Sequence, residues 1–349
     1  MSIEFLGHKH GLLGFLMGPI EAAAGARSKR VADIFCGTGA VSSALKSRGH
    51  TVFANDSLAL CATLAGAILL NDTAPRFEGV LPLLPKGSAD PYTRVLSFLM
   101  GLPGHEGFVT QNYSPRAGAS SGHTRSYFTE ANALRIDAVR HRIDAWTPLL
   151  APGELALLLS DLVRASNAVS NIAGTYGCYM KYWKARALEP LQLRPFRFVA
   201  GGAGHSVTHG DAAAVAVGLD VDIVYADPPY TKRQYSAYYH VPETIVLHDA
   251  PELLGSTGLR PWRENSSAWC YRRHAPKALA DLVAALTCKW FFLSYSEDGQ
   301  IPHSSIMDIL SEHGEVTVFE QDWRRYKSAD RPHRGNAVTE RLYQLRRTV

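Results

Sequence analysis

Cysteine is scarce and unpatterned. The five cysteines (Cys36, Cys61, Cys178, Cys270 and Cys288) form no CxxC pair and no cysteine–histidine spacing of a zinc site. That argues against a disulfide framework, predicts no metal site and fits a reduced, cytoplasmic setting. No apolar run approaches the roughly 18 to 20 residues that cross a bilayer, so no membrane segment is expected. Residues 8–26 share a basic start, a short apolar run and small residues with a signal peptide. Gly11, Gly14 and Gly18 interrupt that run, however, and a sheet strand begins at Val31. Blocks of like charge and low-complexity tracts are absent too, and 46% hydrophobic with 19% charged residues is the balance of a folded chain. A net charge of +4 over 349 residues permits a polyanionic partner without requiring one.

What is present is a strand–helix rhythm at each end of the chain. Residues 31–36, VADIFC, read as a strand, Gly37-Thr38-Gly39 as a tight turn and 40–46 as a helix start. Such a turn lets backbone approach a ligand at a helix N-terminus, although a bare packing turn looks the same. Residues 51–54 read as a second strand ending in Asn55-Asp56. An acid there is a ribose ligand in nucleotide-binding units, or else the N-cap of a helix over 58–70.

The rhythm is lost over 73–205. Proline, glycine and serine crowd 73–127, which predicts a long mobile segment. Thr129 caps a predicted helix reaching Trp146, with Ile136, Val139, Ile143 and Trp146 on one face and Arg135, Arg140 and Arg142 elsewhere. A leucine-rich helix is expected over 154–169. In the stretch that follows, Lys181, Lys184 and Arg186 interleave with Tyr179, Tyr182 and Trp183, a pattern that suits nucleic acid and equally the basic face of an amphipathic helix.

Rhythm returns with His209-Gly210-Asp211, where the acid is suited to a purine amino group or to a turn. Residues 221–230 read VDIVYADPPY, a buried strand halted by a rigid acidic and aromatic corner. In open α/β sheets ligands bind at that end of the strands. Asp227 and the Pro228 carbonyl there suit an exocyclic aromatic amine, whose delocalised lone pair makes it a poor nucleophile until its N–H groups are held. Tyr230 is placed to stack on the base. Beside the corner lie Lys232, Arg233 and Tyr235. A helix over 278–286 and strands over 290–295, 316–320 and 342–345 complete the pattern. The loop between the last two strands holds Arg324, Arg325, Lys327, Arg331 and Arg334, either as phosphate contacts or as a solvated hairpin tip.

Five motifs stand in order: FLGHK at 5–9, DIFCGTG at 33–39, ND at 55–56, GD at 210–211 and DPPY at 227–230. With them the chain resembles the Dam-like, alpha-group S-adenosylmethionine-dependent DNA adenine-N6 methyltransferases. The resemblance covers most of the chain, with His8 and Cys36 as departures from the usual pattern. It implies a Rossmann-like α/β domain with a mostly parallel sheet (1–72 and 206–349) and a mainly helical target-recognition insertion (73–205). It further implies that Gly7, Lys9, Phe35, Gly37, Gly39, Asp56 and Asp211 bind the cofactor and that Asp227, Pro228 and Tyr230 are catalytic. Lys181, Lys184, Lys232, Arg233, Tyr235, Arg324, Arg325 and Lys327 would contact double-stranded DNA. A restriction or phage-defence setting in the nucleoid and a cognate endonuclease follow from the same likeness, which leaves oligomeric state and target sequence open. The alternatives are adenine methylation of RNA, a DNA-binding module with a degenerate cofactor site and, more remotely, a nicotinamide oxidoreductase, for which the full GxGxxG is missing.

Overall fold

Seven strands of the computed structural model, which describes residues 5–7, 9–324 and 337–348, share one sheet. They are β1 (Arg30–Asp33), β2 (Thr51–Asp56), β3 (Ser206–His209), β4 (Ile223–Ala226), β5 (Trp290–Ser296), β6 (Gly314–Arg324) and β7 (Ala337–Arg347). Their order is β3-β2-β1-β4-β5-β7-β6. The first five run parallel, and β7 is antiparallel to both neighbours. This is the Rossmann-like, mostly parallel sheet that the sequence predicts. Strand order reverses between β1 and β4, and the crevice at such a switch point is where a ligand finds room. β4 is buried along its whole length, as its unbroken apolar run requires.

The chain divides into two compact units. One comprises residues 9–57, 201–234 and 266–349 and contains the whole sheet. Its core joins Ala32, Val224, Ala226, Phe291 and Leu293 from the strands to Leu279, Leu282 and Val283 of the helix Ala275–Ala285 and Ile306 of the helix His303–Ser311. The signal-like apolar run is the helix Leu13–Ala24 of this unit, which buries Leu16, Met17 and Ile20.

The other unit comprises residues 1–8, 58–200 and 235–265. Its core is supplied largely by helices: Ala59–Leu69, Pro91–Met100, Glu130–Trp146, Pro152–Ala168 and His240–Leu247. The long mobile segment expected over 73–127 is a correction, because this stretch holds the helices Pro91–Met100 and Phe108–Tyr113 and buries Phe77, Tyr92, Val95, Leu99 and Tyr113. Asp90 begins the first of these helices by accepting the Thr93 amide at 3.0 Å, with Pro91 at the first helical position. Thr129 does cap its helix, and Ile136, Val139, Ile143 and Trp146 are buried as expected. Arg140 departs from expectation: it is buried and donates to the carbonyls of Ile245 (2.8 Å) and Val246 (3.1 Å), closing the C-terminus of the helix His240–Leu247. Tyr235–Asn265 belongs to this helical unit, a grouping that hydrophobic rhythm did not reveal.

Candidate active site

The turn after β1 is shaped by two glycines in the left-handed region, Gly37 (φ 51°) and Gly39 (φ 76°). The Gly39 amide donates to the Cys36 carbonyl at 2.8 Å and the Gly37 amide to Asp56 Oδ2 at 2.9 Å. The acid at the end of β2 therefore braces the glycine turn. The amides of Ala59 and Leu60, which begin the next helix, are taken by the Glu243 carboxylate at 2.9 and 2.8 Å. Asn55, buried, ties three strand ends together. Its amide donates to the carbonyls of Ile34 (3.2 Å) and Gly210 (3.0 Å), and its carbonyl oxygen accepts from Thr208 Oγ1 at 2.9 Å. Asp211 caps the short helix Ala212–Ala216 through the amides of Ala213 and Ala214. Phe35 lies edge-on to Trp269 with ring centres 5.5 Å apart.

The corner after β4 collects charge. Lys9 Nζ is 3.2 Å from Asp227 Oδ1 and 3.5 Å from Glu340 Oε2, and all three side chains are largely buried. Burial pushes the Asp227 carboxyl up to about 6; Lys9 opposes that rise and Glu340 adds to it. Asp33, buried at the end of β1, is pushed up to about 7 by burial against the hydrogen bond from Ser42 Oγ (2.7 Å), with Asp227 and Asp56 adding to the rise. Tyr230 lies under Lys9, whose ammonium is 5.4 Å from the ring centre, and meets Tyr295 edge-on at 5.6 Å. Its hydroxyl donates to Glu340 Oε1 at 3.4 Å and its carbonyl accepts from the Gln300 amide at 3.0 Å.

Lys9, Asp227 and Tyr230 thus meet as a cluster, and Gly37 and Asp56 meet in the glycine turn. Gly7 lies in the helical unit, at φ 75°, and there Tyr235 Oη donates to the Leu6 carbonyl at 3.1 Å. Lys232 and Arg233 are exposed just past the corner, and Lys181 is exposed in the helical unit. Lys184 is partly turned inward, donating to the Ile172 carbonyl at 2.8 Å. Arg324 ends β6, while Arg325, Lys327, Arg331 and Arg334 lie outside the described residues. Sequence reading missed Glu340, Asn55 and Asp33. For Glu340 a signal existed: it alternates with Val338 and Leu342, both buried, so period two places it on the inward side of β7.

No helix among the described residues is long and apolar enough to cross a membrane, and none of their acidic, histidine or cysteine side chains cluster as a metal site. The family profile of the D12 class N6 adenine-specific DNA methyltransferases matches residues 5–285. The chain is 35% identical over 333 residues to the type II methyltransferase M.FokI of Planomicrobium okeanokoites, covering 93% of this chain and 50% of that protein. It is 31% identical over 353 residues to the type II methyltransferase M.NlaIII of Neisseria lactamica, covering 99% of this chain and 100% of that one. It is also 30% identical over 341 residues to the modification methylase LlaI of Lactococcus lactis subsp. lactis, covering 95% and 53%. The chain therefore spans about half the length of the FokI and LlaI proteins and the full length of the NlaIII protein.

Proposed function

Because the chain belongs to the D12 class N6 adenine-specific DNA methyltransferases, we propose that it transfers a methyl group from S-adenosylmethionine to N6 of adenine at a specific site in double-stranded DNA. In this reading it is the modification partner of a cognate restriction endonuclease, or part of a phage-defence system, and works in the cytoplasm on nucleoid DNA. The observation that carries the reading is the buried Lys9–Asp227 pair at the end of β4, beside the Tyr230 ring.

The cofactor supplies a methyl group on a cationic sulfur when bound. The residues present fit it: a turn of two left-handed glycines, braced by an acid at the end of β2, with a second acid, Asp211, after β3. The Gly37 amide takes one of the about four acceptor positions of the Asp56 carboxylate, and a ribose hydroxyl is proposed for another. Gly7, Lys9, Phe35, Gly39 and Asp211 complete the proposed cofactor set. Asp227 and the Pro228 carbonyl accept the two N–H groups of the target amine and draw its lone pair out of the ring. The methylated amine would carry a positive charge, and Asp227 would take the proton it then sheds. Tyr230 stacks on the base. Catalysis by such a corner is positioning and charge stabilisation. A paired base cannot enter, so the adenine is flipped out of the duplex.

Residues 73–205 are the proposed target-recognition region. Lys181, Lys184, Lys232, Arg233, Tyr235, Arg324, Arg325 and Lys327 are proposed to face DNA; the exposure of Lys181, Lys232 and Arg233 supports this most directly. The test is incubation with methyl-labelled cofactor and separate DNA and RNA pools. N6-methyladenine in DNA that disappears in Asp227→Ala is expected, whereas label on cytosine, label only in RNA, or no label would defeat the reading.

A further inference from the structure

Glu340 reaches the corner from β7, where its register partner is Ser296 at the end of β5. One of its oxygens takes the Tyr230 hydroxyl and the other lies 3.5 Å from Lys9 Nζ. Neither Glu340 Oε2 nor Asp227 Oδ1 has an aligned hydrogen-bond donor among the described residues. The ammonium lies 3.5 Å from Glu340 Oε2 and 3.2 Å from Asp227 Oδ1, so the two acids share its charge. We propose that Glu340 is a positioning residue for methyl transfer: by sharing Lys9 it keeps Asp227 from being saturated by the ammonium, and by holding the Tyr230 hydroxyl it fixes the stacking ring. The inference rests on the methyltransferase reading above.

The charge count supports it. Lys9 with Asp227 alone is a neutral, closed pair, whose buried carboxylate has its lone pairs directed at the ammonium. Adding Glu340 gives one cation for two acids, so Asp227 retains acceptor capacity for an incoming N–H. The ionisable groups bearing on Asp227 and Glu340 are Lys9, Asp33, Tyr225 and Tyr230, with Asp298 acting on Tyr230. Of these, only Lys9 is a cation, so its division between the acids governs how freely Asp227 can accept.

Glu340→Gln isolates the charge, because the amide oxygen still accepts the Tyr230 hydroxyl while Lys9 is released to Asp227. The expected result is a kcat lower by about 10- to 100-fold, on the scale of losing one preorganised contact. KM for DNA should be unchanged. The acid limb of the kcat–pH profile should move down by about one pH unit, as a fully paired carboxylate resists protonation. Glu340→Asp should restore part of kcat and return the limb toward wild type. An acid limb that stays at its wild-type position in both variants overturns the inference, whether or not kcat falls, since a merely structural residue lowers rate at every pH alike. Thermal melting is read alongside, and if Glu340→Gln does not fold, Glu340→Ala, which also removes the charge, is read by the same limb and should move it down. Wild-type N6 methylation is measured first: its absence defeats the methyltransferase reading, while an unmoved limb in an active enzyme defeats only the role of Glu340.

Discussion

The two units bury the same kind of side chain and use it in opposite ways. In the helical unit Asp137 accepts the amides of Gly107 (3.1 Å), Val109 (3.0 Å) and Thr110 (2.7 Å) together with the Thr110 hydroxyl (2.6 Å), and Glu243 accepts those of Ala59 and Leu60. Each acid is consumed in starting a helix, where unsatisfied amides and the helix dipole favour negative charge. In the sheet unit Asp227 and Glu340 share the Lys9 cation, Asp33 bears on Asp227 while accepting from Ser42, and burial pushes Asp33 and Asp227 upward. A buried acid surrounded by backbone amides is architecture. One facing other acids is poised to accept from something not yet there.

Substitutions test that contrast, and the largest effect belongs to the corner. Asp227→Ala should lower kcat by about 10³-fold or more, since positioning and charge stabilisation are both lost. Its melting temperature should stay near or above wild type, because a buried carboxyl whose charged form is disfavoured by desolvation is removed. A parallel loss of folding would place Asp227 with the architectural acids. Asp137→Ala should do the reverse. It strands three amides and a hydroxyl, costs about 3 kcal/mol in denaturant unfolding, and leaves kcat per folded molecule unchanged. Glu243→Gln keeps one acceptor for two amides and should cost about 1–2 kcal/mol, read as faster hydrogen exchange over Ala59–Leu69.

The smallest effect is the most diagnostic and comes from pH. In the proposed reaction Asp227 accepts the amine as a carboxylate, so kcat should fall as pH drops through about 6. Stability should move the other way. Asp33 and Asp227 hold protons in the fold up to about 7 and about 6, whereas an unfolded aspartate releases its proton near 3.9. The folded state therefore binds more protons between those limits, and the contribution of these two acids to stability rises as pH falls from 7 toward 4. A profile in which activity persisted well below pH 6 and the melting temperature did not rise there would mean that Asp227 is already saturated by Lys9.

The sheet unit was largely legible because its strands are written in the pattern that buried parallel strands require. The stretches 31–36 and 221–226 are largely apolar, and Gly37 and Pro228 mark the turns beyond them, although β1 itself already ends at Asp33. β6 and β7 were read too short, since charged residues such as Glu315, Glu340 and Arg341 interrupt their apolar runs. Glu340 went unseen for the same reason: its charge interrupts the run, although its alternation with Val338 and Leu342 turns it inward, and pairing with β5 then brings it to the corner. In the helical unit, composition misled. Proline before position 128 was counted as a breaker, although Asp90-Pro91 is a helix start written in full. Arginines that look like a solvent face end helices instead, Arg140 through Ile245 and Val246 and Arg135 through the carbonyls of Met100 and Leu102. Which carbonyl a long cation reaches is a tertiary fact, and periodicity is blind to it.

The adjacency of β1 and β4 also sets how this chain must fold. The Arg30 amide donates to Asp222 across 192 positions of sequence, and the switch-point crevice does not exist until that closure is made. Long-range parallel pairing of this kind is slow, since the entropy of closing the loop is lost before any contact rewards it. Most of the intervening chain has its own core, so helices assembled early would shorten the loop that remains to be closed. Refolding followed by hydrogen exchange should then protect Glu130–Trp146 before Ile223–Ala226. The Lys9–Asp227 pair, and methyl transfer with it, should be among the last properties to appear.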